Sequence, residues 1–174
     1  MEMTQSRLQI RRWILVLSVL FVTVASDQLT KVLARSVLRG QDRQEFIAGS
    51  VALEFAENPG AFLSVGSGLS DSLRFLIFSV GVVFVLLWAG YLLIKRQDLA
   101  KMEVWGLALL LGGGIGNLID RLSKGTVTDF IQMGVGSLHT GIFNIADVAI
   151  MVGVGFLFLT SSRNKKKAAA KTTS

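Results

Sequence analysis

Apolar residues gather into four runs along this chain: Trp13 to Ala25, Phe75 to Ile94, Val104 to Ile119 and Ile142 to Thr160. Charged and turn-forming residues take over between them. A bilayer core needs about 20 residues of helix, and the second run meets that length without a charge. The first run is shorter, but "SDQLTKVLARSVL" continues its helical pattern toward Leu38. Four transmembrane helices are predicted, over about residues 13–34, 74–94, 104–121 and 142–160. With Arg7, Arg11 and Arg12 before it and "VTVAS" after it, the first run also resembles a secretory signal peptide. Its helical continuation, and three later spans that need a packing partner, favour a retained anchor.

The connections carry a second pattern. Arg35 to Ser72 is too long for a simple link, and within "SVALEFAENPGAF" the residues Val51, Leu53 and Phe55 alternate as in a half-exposed strand. "ENPG" then reads as a turn. The predicted fold class is therefore all-α integral membrane with four transmembrane helices, and a small β-sheet or amphipathic segment at the outer surface between helices one and two. Residues 1–161 are expected to form one four-helix domain and 162–174 a basic cytoplasmic tail.

Composition agrees with a membrane setting: 51% of the 174 residues are hydrophobic and the mean hydropathy is +0.57. Charge then orients the bundle, because Lys and Arg accumulate in short cytoplasmic segments. With both termini inside, the inner segments hold eleven basic and three acidic residues, a net +8. The remaining seven basic and nine acidic residues leave −2 outside. The pI near 10.1 thus requires no nucleic acid. "RNKKKAAAK" is a juxtamembrane tail suited to an anionic inner leaflet.

Polar residues placed inside such spans are costly, a carboxylate at a helix centre roughly 2.5 to 3.5 kcal/mol on insertion scales. Yet this orientation sets several at one depth near the outer interface. Asp27 and Lys31 end span one, Asn117, Asp120 and Arg121 end span three, and Asn144 and Asp147 begin span four. The connection "SKGTVTDFIQMGVGSLHTG" brings Asp129 to the same level. Four aspartates from three helices and a loop are therefore expected to converge. Within "LGGGIG", Gly112 and Gly116 form a small-xxx-small pair that lets span three approach a neighbour closely.

The absence of cysteine excludes disulfides and thiolate chemistry, and the single histidine, His139, argues against a serine–histidine triad or a multi-histidine zinc site. Carboxylates remain. Of two lying close together, one keeps its proton and the other does not, giving an acid and a base without metal, cofactor or covalent nucleophile. Asp129 and Asp147 are the candidate pair, Asp129 on an adaptable loop and Asp147 on a fixing helix. Asp120 adjoins Arg121 and reads as a structural ion pair. From the residues alone a carboxylate hydrolase, a carboxylate-lined proton or ion pathway and a non-catalytic scaffold all stay open.

Five short motifs in order resemble the bacterial lipoprotein signal peptidases, signal peptidase II: "DQLTK" at Asp27, "ENPGAF" at Glu57, "GNLIDR" at Gly116, "VTDF" at Val127 and "FNIAD" at Phe143. The resemblance runs from about Ser26 to Ile150. It implies a membrane aspartyl endopeptidase that cuts prolipoproteins on the amino side of a diacylglyceryl-cysteine, with Asp129 and Asp147 catalytic. Asn58, Asn117, Asp120, Arg121 and Asn144 match residues that support the pair or contact substrate, and Asp27 and Lys31 match the polar pair of the first helix. The departure is at Phe62, which follows Ala61 directly where the family usually places one residue between them. Diacylglyceryl-modified prolipoproteins and membrane phospholipids are the implied partners. The chain is expected to be monomeric and multi-pass in the bacterial inner membrane, with its site at the outer face. An inactive, lipoprotein-binding homologue is the alternative within that resemblance.

Overall fold

The computed structural model describes residues 2–59, 70–136 and 138–172. Four helices follow the apolar runs but reach beyond them: α1 (Glu2–Val37), α2 (Asp71–Lys95), α3 (Lys101–Lys124) and α4 (Ile145–Thr172). All four are long and apolar enough to cross a membrane. Four strands join them: β1 (Gln44–Phe46), β2 (Val51–Asn58), β3 (Val127–Val135) and β4 (Leu138–His139).

α3 is the central helix and packs against each of the other three. Its Leu107, Ala108 and Leu111 meet Val16 and Val19 of α1 and Ala89 and Leu93 of α2 in one apolar core. Elsewhere the bundle turns large apolar side chains outward. Phe21, Phe84 and Phe158 are 74%, 71% and 71% exposed. Patches of that kind are not tolerated in water but are ordinary against lipid tails. Near the α1 N-terminus, the Arg12 guanidinium donates to the Leu93 and Arg96 carbonyls at 2.7 and 2.8 Å. That contact satisfies carbonyls left open at the α2 C-terminus.

The close approach predicted for Gly112 and Gly116 is present on the α1 side of α3. A Cβ on Gly112 would lie 2.8 Å from Cβ of Thr23, and one on Gly116 would lie 2.5 Å from Oδ2 of Asp27. Only glycine admits those neighbours at that spacing.

The sheet is larger than the sequence pattern suggested. Its antiparallel order is β1-β2-β3-β4, so the connection between α3 and α4 supplies half of its strands. β2 was legible through the alternation of Val51, Leu53 and Phe55. β3 was not, because its first four residues are all buried and a two-sided strand shows no alternation. Asp129 therefore sits on a strand and not on an adaptable loop. The expected amphipathic segment finds no helix in the described part of the α1–α2 connection, and residues 60–69, which include Ala61 and Phe62, lie outside the described residues.

Candidate active site

The site is assembled where β3 meets the start of α4. Gly125 ends α3 in the left-handed region (φ 78°), with its N–H on the Arg121 carbonyl at 2.9 Å, and turns the chain into β3. β3 is then held on both sides. Ala56 of β2 pairs with Asp129, and Phe143 bridges Ile131 by N–H···O bonds of 2.9 and 2.8 Å. Because Phe143 immediately precedes Asn144, this bridge sets Asp129 beside the α4 N-terminus.

Asn144 caps α4. Its Oδ1 accepts the Asp147 N–H at 3.0 Å, while Asp147 Oδ2 accepts the Asn144 N–H at 3.1 Å. This is a reciprocal capping box with aspartate at its third helical position. Asp147 thus lies in the first turn of the helix, where the exposed N–H groups and the helix dipole favour a carboxylate. The adjacent Ala146 N–H is taken by Oδ1 of Asp27, 3.0 Å away on α1.

Two side-chain amides join the aspartates. Asn144 Nδ2 donates to Asp129 Oδ1 at 2.6 Å and to Asn117 Oδ1 at 3.1 Å. Asn117 Nδ2 donates to Asp147 Oδ1 at 2.8 Å. Asn58, at the end of β2, donates to the other Asp129 oxygen at 3.0 Å. Burial is the main reason that the Asp129 carboxyl is pushed up to about 6. The Asn58 and Asn144 amides and the more distant Lys31 oppose the rise, and the negative charge of Asp147 adds to it. Asp129 is 3% exposed, whereas Asp147 is half-buried.

Beneath the pair lies a fully buried ionic cluster. Lys31 Nζ contacts Asp27 Oδ2 at 2.9 Å, Asn117 Oδ1 at 2.8 Å and Asp120 Oδ2 at 3.8 Å. Asp27, Lys31, Asp120 and Asn144 are 0% exposed. Charges so far from water require pairing and full hydrogen bonding, and these have both. Asp120 also receives Lys124 Nζ at 2.5 Å and the Thr128 N–H at 2.9 Å, with Arg35 at 3.6 Å.

The expected Asp120–Arg121 ion pair is corrected by this arrangement. Consecutive helical residues point apart, whereas those four apart share a face, so Asp120 pairs with Lys124. Arg121 feels the charges of Asp147 and Asp129 ahead of that of Asp120. Thus the nine residues singled out in the sequence converge, and the structure adds Arg35, Lys124 and Thr128. Arg35 was discoverable, since Asp27, Lys31 and Arg35 follow one another at four-residue steps on one face of α1.

The sequence and the fold are similar to those of known proteins. The model for the Signal peptidase (SPase) II family matches residues 19–163. The chain belongs to the signal peptidase II family. Its relatives include the lipoprotein signal peptidase of Francisella tularensis subsp. novicida, 35% identical over 144 residues that cover 83% of this chain and 89% of the relative. The enzyme of the same name from Maridesulfovibrio salexigens is 33% identical, covering 83% and 92%. Two solved structures of a bacterial membrane enzyme, obtained in meso at 2.3 and 1.9 Å, superpose with TM-scores of 0.75 and 0.73. They are 26% and 27% identical and cover 87% and 83% of this chain and 90% of each structure. Like the rest of the signal peptidase II family, the chain is a membrane-embedded, multi-pass bacterial protein.

Proposed function

We propose that this protein is the aspartyl endopeptidase that removes signal peptides from lipid-modified prolipoproteins, cleaving on the amino side of the diacylglyceryl-cysteine. The observation that carries the reading is the joining of Asp129 and Asp147, from different elements, through the amides of Asn117 and Asn144. Asp147, more open and flanked by N–H donors, is the base: it removes a proton from water as the water oxygen attacks the scissile carbonyl carbon. Asp129, which burial favours in the protonated form, is the acid that donates to the carbonyl oxygen. The tetrahedral diol then collapses as the C–N bond breaks: the leaving amine takes up the proton held by Asp147, and one diol hydroxyl returns its proton to Asp129, which leaves a carboxylic acid and restores both aspartates.

The +8 and −2 charge distribution supports both termini in the cytoplasm and the aspartates at the outer face. A lipidated substrate is anchored at that level, and the apolar outer surfaces of the helices suit phospholipid and the signal helix alike. Residues 1–161 form the peptidase unit, as a monomer, with residues from 162 onward as its basic extension. A proton pathway fits less well, because the ionisable buried residues among those described gather at one end of the bundle. Among the described residues, only Thr23, Ser79 and Thr160 are buried polar residues away from it.

The test is incubation of purified protein with a lipidated prolipoprotein in detergent, read by mass spectrometry. A product that begins at the lipid-modified cysteine is expected. Binding without cleavage by the intact protein would assign it to a non-catalytic role.

A further inference from the structure

The amide orientations at the site are dictated from below. Lys31 Nζ has only protons to offer, so the Asn117 atom that faces it at 2.8 Å must be the carbonyl oxygen. The other end of the same amide, the NH2, is thereby turned to Asp147 at 2.8 Å. Asn144 is fixed in the same manner from its far side: the Asp147 N–H requires its oxygen, which leaves its NH2 for Asp129 and Asn117. Lys31 is in turn immobilised by Asp27, whose second oxygen caps the Ala146 N–H of α4.

We infer that Lys31 is a positioning residue for the aspartate pair: it sets the polarity of the Asn117 amide, so that Asp147 always meets a donor and is held as the base. It touches neither substrate nor the reacting atoms. This inference rests on the proposed aspartyl chemistry and adds a residue that acts through another. Without the ammonium, the Asn117 oxygen loses the shorter of its two donors and is kept from Asp147 by the Asn144 NH2 alone, at 3.1 Å, so the amide can turn its oxygen to Asp147. A carboxyl facing an acceptor keeps its proton, and a protonated Asp147 is no base. The charged and titratable groups around this point are Asp27, Lys31 and Arg35 on α1, Asp120, Arg121 and Lys124 on α3, Asp129 on β3 and Asp147 on α4.

Lys31→Met alone strands the buried Asp27 carboxylate, so the informative variant is Asp27→Asn with Lys31→Met, which removes both charges and retains an oxygen for the Ala146 N–H. Two readouts on the intact protein separate the outcomes. In cleavage assays kcat is expected to fall about tenfold to a hundredfold, the range for slight misplacement of a catalytic group, with KM little changed. The acid limb of the kcat/KM profile should move to higher pH. The infrared carboxylate band assigned to Asp147 by its loss in Asp147→Asn reports the hydrogen bond from Asn117, and its frequency should differ between parent and double variant without relying on turnover. If the double variant melts at lower temperature while its Asp147 carboxylate band, kcat and pH profile match the parent, Lys31 is structural and the inference is overturned. If the parent cleaves nothing, the peptidase reading fails while the infrared comparison still decides the role of Lys31.

Discussion

Asn144 donates its amide N–H to Oδ1 of Asp129 at 2.6 Å, although the two residues lie on a helix cap and a strand. That one bond ties the mobility of the acid to the cap of the helix that carries the base, because the same Asn144 also exchanges two hydrogen bonds with Asp147. The local folding device and the chemical device are one set of atoms.

The dyad assignment is tested by replacing each aspartate with asparagine, nearly equal in volume but unable to act as a carboxylate. Asp129→Asn and Asp147→Asn are each expected to lower kcat by roughly a hundredfold to ten-thousandfold, the range for losing a general acid or base. Both proteins should still insert and bind substrate. Near-normal turnover in either would mean that the wrong carboxylates have been chosen.

Asp120 should behave differently. It accepts the Thr128 N–H and neutralises Lys124, with Lys31 and Arg35 close by, but hydrogen-bonds to neither aspartate of the pair. Asp120→Asn is expected to cost about 1–3 kcal/mol in stability, as a buried charged hydrogen-bond network loses one member, while measurable cleavage remains. Thermal melts and initial rates on the same preparation check this, and complete inactivation without loss of stability would place Asp120 in the chemistry.

How much of this was legible in the sequence depends on range. The four spans followed from apolar runs, and the small-xxx-small face of Gly112 and Gly116 from spacing alone. The convergence of Asp27, Lys31, Asn117, Asp120, Asn144 and Asp147 followed from their shared depth. The strand that carries Asp129 did not, since burial on both faces removes alternation, and its pairing with Ala56 and Phe143 spans distant parts of the chain. Nor did the place of Asp147 in its helix. The apolar run begins at Ile142, but the helix begins at Ile145, so the aspartate expected near the start of span four is a capping residue of its first turn.

Close packing of α1 on α3 makes a sharp prediction at Gly116. A methyl group there meets Asp27 Oδ2 at 2.5 Å, in the carboxylate that holds both Lys31 and the Ala146 N–H. Gly116→Ala is expected to destabilise the protein by roughly 1–3 kcal/mol, as overpacked interiors do, and to lower activity with it. Gly155, with nothing within 4 Å of a built Cβ, is the control: Gly155→Ala should leave both unchanged.

Topology is checked with reporters. A cytoplasm-active reporter fused after Lys171 should be active, and an export-active reporter inserted near Gly68 should be active too. Export of the C-terminal reporter would put the aspartates on the cytoplasmic side, away from an exported substrate, and the proposed function would not survive it.

The pH dependence follows from Asp129. Burial raises its carboxyl to about 6, with the Asp147 charge adding to the rise, so its proton is retained well above the ordinary carboxylate range and released as pH passes through that value. If Asp129 is the acid, kcat/KM should fall on the alkaline side with an apparent pKa near 6 for the pair, and again on the acid side as the base gains a proton. The sign for stability is the same. A raised carboxyl contributes most below its unfolded value and loses that contribution as pH rises through the folded one, so melting temperatures must be recorded alongside to separate ionisation from unfolding. Asp147→Asn removes the neighbouring charge, and the remaining Asp129 carboxyl should then titrate lower, which an infrared titration reads without turnover. Chelators and serine-directed acylating reagents should leave the profile unchanged. A rate that climbs steadily into the alkaline range while the fold persists would rule out an aspartic acid as the proton donor and point to a deprotonated lysine.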